Sequence, residues 1–101
     1  MPVGGFVRLI PRAGAEEELR ERALDVAKDV RTEPGNLFTA VFSDPDNPGE
    51  LLMLEIFTDQ EAIEAHRVAS HTVDKGQFVH ALLETPMKVT RVETLDWPSD
   101  G

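Results

Sequence analysis

The sequence predicts an α+β fold in which strands and helices follow in the order βαββααβ. Three observations carry that prediction. Runs rich in β-branched and aromatic residues alternate with stretches whose apolar residues recur at helical spacing. The turn cluster Asp44-Pro45-Asp46-Asn47-Pro48-Gly49 separates two of the strand-like runs by a hairpin-sized gap. Both of those runs are apolar on both faces, which a sheet covered by helices on one side does not require.

The first strand is read over Val3 to Ile10, ended by Pro11, with Gly4 and Gly5 weakening or bulging its start. A helix is predicted from Ala13 to Arg31, with Leu19, Ala23, Val26, Ala27 and Val30 as its apolar stripe. Glu16, Glu17 and Glu18 near its start and Lys28 and Arg31 near its end complement the helix dipole. Pro34-Gly35 stops it. The hairpin strands are Asn36 to Ser43 and Glu50 to Phe57. In the first, Leu37, Thr39 and Val41 alternate with Phe38, Ala40 and Phe42; in the second, Leu52, Leu54 and Ile56 alternate with Leu51, Met53 and Phe57.

Thr58-Asp59-Gln60-Glu61 has the form of a capping box, with Thr58 as the cap and Glu61 reaching back. The helix it opens presents Ala62, Ile63, His66 and Ala69 on one face and breaks around Ser70-His71. A further helical segment is expected from Thr72 to Glu84, carrying Val73, Phe78, Val79, Leu82 and Leu83. Gly76 costs it about 1 kcal/mol, so an irregular first turn is expected. Pro86 precedes the last strand, Met87 to Trp97, and a polar tail closes the chain over residues 98–101. The order is close to the split βαβ arrangement of ferredoxin-like folds, with the helices on one face of an antiparallel sheet. The two-faced strands then call for a second copy of the sheet, so a homodimer with sheets packed face to face is expected.

A chain of 101 residues suggests one domain, with its core over residues 3–97. The net charge of −9 argues against nucleic-acid binding, which needs a basic face. With no cysteine, disulfides, thiolate metal sites and Cys nucleophiles are excluded, which fits a cytoplasmic location. Met1 to Gly5 does not have the form of a signal peptide, and no apolar stretch reaches the ~20 residues a membrane span needs.

Chemistry must therefore come from a few imidazoles and carboxylates. His66 shares a helix face with Ile63 and Ala69, so its ring should face the sheet. It reads either as a base for an acidic C–H or phenolic O–H, or as a structural histidine bonded to a carboxylate or to backbone. Glu55 is the one charge within Leu51 to Phe57 and shares a face with Leu51, Met53 and Phe57. It reads first as an interface or edge ion pair, with Arg67 or Arg91 as counterion, and second as an orienting partner for an imidazole. His71 lies five residues after His66, past the i, i+4 spacing that places two ligands on one helical face. No recognised metal spacing appears, so no metal is expected. His80 reads as a flank residue beside Val79. There is no GxGxxG, GxxxxGK[ST] or GxSxG frame for a dinucleotide, a nucleoside triphosphate or a serine nucleophile.

The ordered set Glu33-Pro34-Gly35, Asp44-Pro45-Asp46, Glu55-Ile56-Phe57-Thr58-Asp59 with Ala62, and then Ala65-His66 and Ser70-His71 resembles the antibiotic biosynthesis monooxygenase (ABM) domain family. The likeness covers nearly the whole chain. It implies a ferredoxin-like fold assembled as a dimeric α–β barrel, and cofactor-independent oxygenation of a quinol, phenol or anthrone-like aromatic by O2. On that reading His66 is the base or a hydrogen-bonding pocket residue, Glu55 a supporting polar group, and Phe57 and Phe78 wall residues; His71 is carried as a further supporting residue. Phe57 stands where the family often has Trp or Tyr, and the trio used for haem degradation in one branch is not matched. Two alternatives are a non-catalytic barrel that binds a small ligand, and an isomerase of the same superfamily.

Overall fold

The computed structural model describes residues 1–98, so most of the predicted polar tail lies outside the described residues. The elements are β1 (Val3–Leu9), α1 (Glu16–Val30), β2 (Asn36–Ser43), β3 (Leu51–Phe57), α2 (Gln60–Val68), α3 (Ser70–Ala81) and β4 (Val89–Glu93). All strand pairs are antiparallel and the sheet order is β2-β3-β1-β4, the ferredoxin-like arrangement expected.

Alternation along the strands decides which side the helices cover. Val7 and Leu9 of β1 and Leu51 and Met53 of β3 pack against Leu19, Ala23 and Ala27 of α1 and against Val79 and Leu83. The predicted stripe of α1 is the buried one: Leu19, Ala23, Ala27 and Val30 are fully covered. The opposite face of the sheet stays open. There Phe6, Phe38 and Phe42 are 37%, 41% and 44% exposed, with Leu52 and Leu54 half-buried among them. Their pairing, Phe6 with Leu54, Leu54 with Ala40 and Leu52 with Phe42, makes one continuous apolar patch.

Several element ends differ from the sequence reading, each for a local reason. α1 begins at Glu16 rather than Ala13 because Gly14 takes a positive φ of 88°, which belongs to a turn. The cap of α2 is Asp59, not Thr58: the Asp59 carboxylate accepts the Ala62 N–H at 2.9 Å, while the Thr58 N–H donates to the Gly35 carbonyl. Glu61 then falls one position too early to close a capping box. The break between α2 and α3 sits at Ala69, in extended geometry (φ −60°, ψ 139°), and α3 starts at once with Ser70. α3 runs unbroken past Gly76, so the expected irregular turn is absent. β4 is shorter than Met87 to Trp97, because among the described residues it pairs only with β1 over Val3 to Val7. Past that point β1's end bonds the segment after α3, with Glu84 N–H donating to the Ile10 carbonyl and Arg12 N–H to the Leu82 carbonyl. No helix of the described residues is long and apolar enough to cross a membrane.

Candidate active site

Three elements bring one carboxylate and two imidazoles together. After α1 the chain unwinds through short turns, with Thr32 N–H donating to the Asp29 carbonyl and Glu33 N–H to the Val30 carbonyl. Pro34-Gly35 then carries it into β2. Gly35 lies flat against α2: a Cβ there would fall 2.3 Å from Ala62 Cβ. This close approach delivers the Glu33 side chain to the last turn of α2, where both its oxygens lie 3.0 Å from His66 Nδ1. The break at Ala69 turns the first turn of α3 back onto the same group, and His71 Nε2 lies 2.6 Å from Glu33 Oε2. The Glu33 side chain is only 10% exposed and His66 15%. An ionised carboxylate only accepts, so both imidazoles present N–H to it: Nδ1–H from His66 and Nε2–H from His71. In the neutral ring of His66 that leaves the Nε2 lone pair free, and Nε2 points the other way, 3.7 Å from Glu55 Oε2.

Glu55 lies on the helix-facing side of β3, among Met53, Val7 and Met87, and β3 is not an edge strand. Among the described residues of one protomer neither Arg67 nor Arg91 pairs with it, and its charged neighbour is His66, with Nε2 3.7 Å from Oε2. Its Oε2 is buried without a hydrogen-bond partner among the described residues. Burial pushes the Glu55 carboxyl up from its ordinary value; His66 opposes that rise and Glu33 adds to it. The folded state therefore holds this proton more tightly than the unfolded chain does. Its contribution to stability is full below the ordinary Glu range and declines as pH rises from about 4.5 through the raised value. Glu55→Gln removes that decline. In urea unfolding between pH 4 and 8, the variant should gain on the wild-type protein steadily with pH. A difference that stays flat across this range would mean that the fold does not perturb Glu55.

Two partly open cavities meet at this pair. One, of about 150 Å³, is lined by core residues including Val7, Met53, Val79 and Met87, together with Thr72, Glu55 and His66. The other, of about 200 Å³, lies toward β4 and is lined by Phe57, Ile63, Met87 and Val89, with Arg67 and Arg91 flanking it and Glu55 and His66 at its inner end. Phe57, a wall residue on the resemblance, is buried and lines the second cavity, with its ring centroid 5.1 Å from that of His66. Phe78 is not: it is 48% exposed on the outside of α3, with the Arg22 guanidinium 4.9 Å from its ring centroid. Its position in the helix turns it away from the sheet. His80, read as a flank residue, reaches the edge of the smaller cavity. Among the described residues no group of three or more His, Asp or Glu side chains is arranged to hold a metal ion.

The sequence reading missed Glu33 and undervalued His71. Glu33 was visible only as the first letter of a turn motif; the carboxylate's destination depends on how closely Gly35 packs on α2. The spacing between His66 and His71 argued against a shared site on a continuous helix, and the break at Ala69 removes that objection.

Comparison with known proteins gives a consistent picture. The family model described as antibiotic biosynthesis monooxygenase matches residues 4–74, a span holding Glu33, Glu55, His66 and His71. A Mycobacterium tuberculosis protein, Rv0793, named provisionally as a monooxygenase, is 30% identical over 95 residues, 94% of this chain and 93% of its own length. Its solved structure superposes with a TM-score of 0.89, covering 98% of this chain and 100% of that one at 29% identity. A structure from Deinococcus radiodurans assigned to the same family has a TM-score of 0.86, at 23% identity over 98% of this chain and 97% of that one, and supports the fold alone.

Proposed function

The chain belongs to the antibiotic biosynthesis monooxygenase family, and from that premise we propose that it is a cofactor-independent monooxygenase acting with O2 on a small electron-rich aromatic of the quinol, phenol or anthrone class. One observation carries the reading: His66 is held at Nδ1 by Glu33 and turns Nε2 toward an apolar cavity. A neutral imidazole in that position removes the acidic proton of a phenol or of a benzylic C–H, and the resulting anion reduces O2. For an anthrone the ring methylene and one molecule of O2 become a ketone and one molecule of water. Both methylene C–H bonds break, one oxygen atom becomes the ketone oxygen and the other leaves as water. The substrate supplies every electron, so the protein's part is a base, an apolar pocket and orientation. Phe57 supplies a flat wall for the ring, and Met87 and Val89 complete an apolar lining.

The test is oxygen consumption with a panel of anthrones and dihydroxyaromatics. His66→Ala should lower kcat by about 10²- to 10⁴-fold, the usual contribution of a general base. Unchanged turnover in that variant would remove His66 from the mechanism. The cavities, at about 150 and 200 Å³, are individually smaller than typical ligand pockets of ~300 Å³ or more, which favours a second reading: binding of a small apolar ligand without turnover. Ligand binding with no oxygen uptake across the panel would decide for it.

The open apolar face of the sheet supports a homodimer formed through that face. Each cavity lies on the opposite, helix-covered side of its own sheet, so each protomer carries its own site.

A further inference from the structure

His66 stands in the wall between the protein interior and an outer groove. That groove, about 420 Å³, runs over the surface between the Glu33-Pro34-Gly35 turn and α2. Glu33 lines the groove and neither cavity; Glu55 lines both cavities and not the groove; His66 lines all three. The imidazole is aligned across this wall, with Nδ1 3.0 Å from the Glu33 oxygens on the groove side and Nε2 3.7 Å from Glu55 Oε2 on the cavity side. Thr72 Oγ1, 3.5 Å from Nδ1, is too distant to compete with the carboxylate.

We infer that His66 and Glu33 form a proton relay through this wall, in which Glu33 is the exit residue that passes the substrate's proton from the cavity side to the solvent-facing groove. The inference deepens the proposed oxygenase reading and rests on it for its catalytic meaning. In the forward step the substrate O–H or C–H bond breaks and an N–H bond forms at His66 Nε2. The Nδ1–H bond breaks as a Glu33 O–H bond forms, and Glu33 then releases that proton to water in the groove. Charge balances: a neutral substrate and a Glu33 carboxylate become a substrate anion and a neutral Glu33. The proton leaves on the face of the imidazole opposite the substrate, so it is drawn away from the substrate anion while O2 reacts. His71, donating to Glu33 Oε2 at 2.6 Å from α3, is the positioning residue that fixes the exit carboxylate. Glu55 faces Nε2 from the cavity side at 3.7 Å, beyond hydrogen-bond reach, so it leaves the Nε2 lone pair open to the substrate's proton.

The experiment pairs Glu33→Ala with small external carboxylates, which can reach the vacated position from the groove. With an anthrone as probe substrate and O2 uptake as readout, Glu33→Ala should lose about 100-fold or more in kcat. Formate and acetate should restore part of it, acetate better at equal carboxylate concentration because it is the stronger base. A purely structural role would give no dependence on base strength, and wild-type kcat in the variant, or rescue that ignores base strength, overturns the relay. Nitrogen NMR of the histidine rings tests the relay without substrate. His66 should be the Nδ1–H tautomer when neutral, with ring-proton exchange that slows in Glu33→Ala. An Nε2–H tautomer in the wild-type protein overturns the relay. Absence of anthrone oxidation by the wild-type protein would count against the oxygenase reading alone, and the NMR result then decides the relay.

Discussion

Gly35→Ala is expected to destabilise the fold by about 1–3 kcal/mol, the usual cost of forcing extra volume into a packed contact, and to abolish most activity. The new methyl would sit 2.3 Å from Ala62 Cβ, so either the turn or the helix must move by more than an ångström to restore ordinary contact. Gly35 does not adopt a positive φ, so the effect comes from crowding and not from backbone strain. Two consequences follow from what the turn carries. The Thr58 N–H bond to the Gly35 carbonyl is stretched, which loosens the entry to α2. Glu33, two residues away, is drawn off His66 and His71, which leaves Nδ1 of His66 without its acceptor. The obstructing atom is a single methyl, so Gly35→Ala combined with Ala62→Gly should recover most of the activity and part of the stability. Recovery of stability is partial because glycine inside a helix costs up to about 1 kcal/mol. Thermal unfolding and oxygen uptake on both variants check this; additive losses in the double variant would show that the close approach is not what holds Glu33.

The same residue shows where sequence reading stops. Periodicity located the elements that pack on the core, because each of those has one face that must be buried and the apolar residues mark it. The α1 stripe from Leu19 to Val30 and the alternation of β3 are examples. The signals that failed were choices between neighbouring residues of similar chemistry, such as Thr58 against Asp59 for the cap of α2. The site was half legible. His66 and Glu55 stood out as polar residues on apolar faces, and alternation placed Glu55 correctly on the side of Leu51, Met53 and Phe57. Alternation could not say that this side faces the helices, because the other side is just as apolar. Phe78 was misplaced because apolar residues crowd more than one face of α3: Val73 and Phe78 are exposed while Val79 is buried. Glu33 could not have been found from spacing. Its role depends on three segments meeting, and each contact is long-range in sequence: 33 residues to His66 and 38 to His71.

Leu54→Lys should convert the protein from a dimer to a monomer while leaving the protomer folded. Leu54 lies on a central strand, paired to Phe6 on one side and Ala40 on the other, at the middle of the open apolar face. In a lone protomer a lysine there extends into water, and its aliphatic stem still covers Phe6, so folding loses little. In a face-to-face dimer the same ammonium is buried between two apolar sheets, with Leu52 and Ile56 on its own strand and Phe38 and Phe42 on the neighbouring one sharing its face. An unpaired buried charge costs several kcal/mol, and twofold symmetry places two of them near one another. The cost thus falls on association and not on the fold, the opposite of a core substitution such as Leu9→Ala. Sedimentation of the wild-type protein should give about twice the 11.2 kDa of one chain, and of Leu54→Lys about 11.2 kDa, with similar far-UV circular dichroism. A wild-type protein that sediments as a single chain at micromolar concentration would overturn the proposed assembly. Because each His66 cavity lies on the helix side of its own sheet, the monomeric variant should still show the His66 tautomer that Glu33 imposes. A loss of that tautomer on dissociation would mean instead that packing of the two sheets holds β3, and with it Glu55, in place.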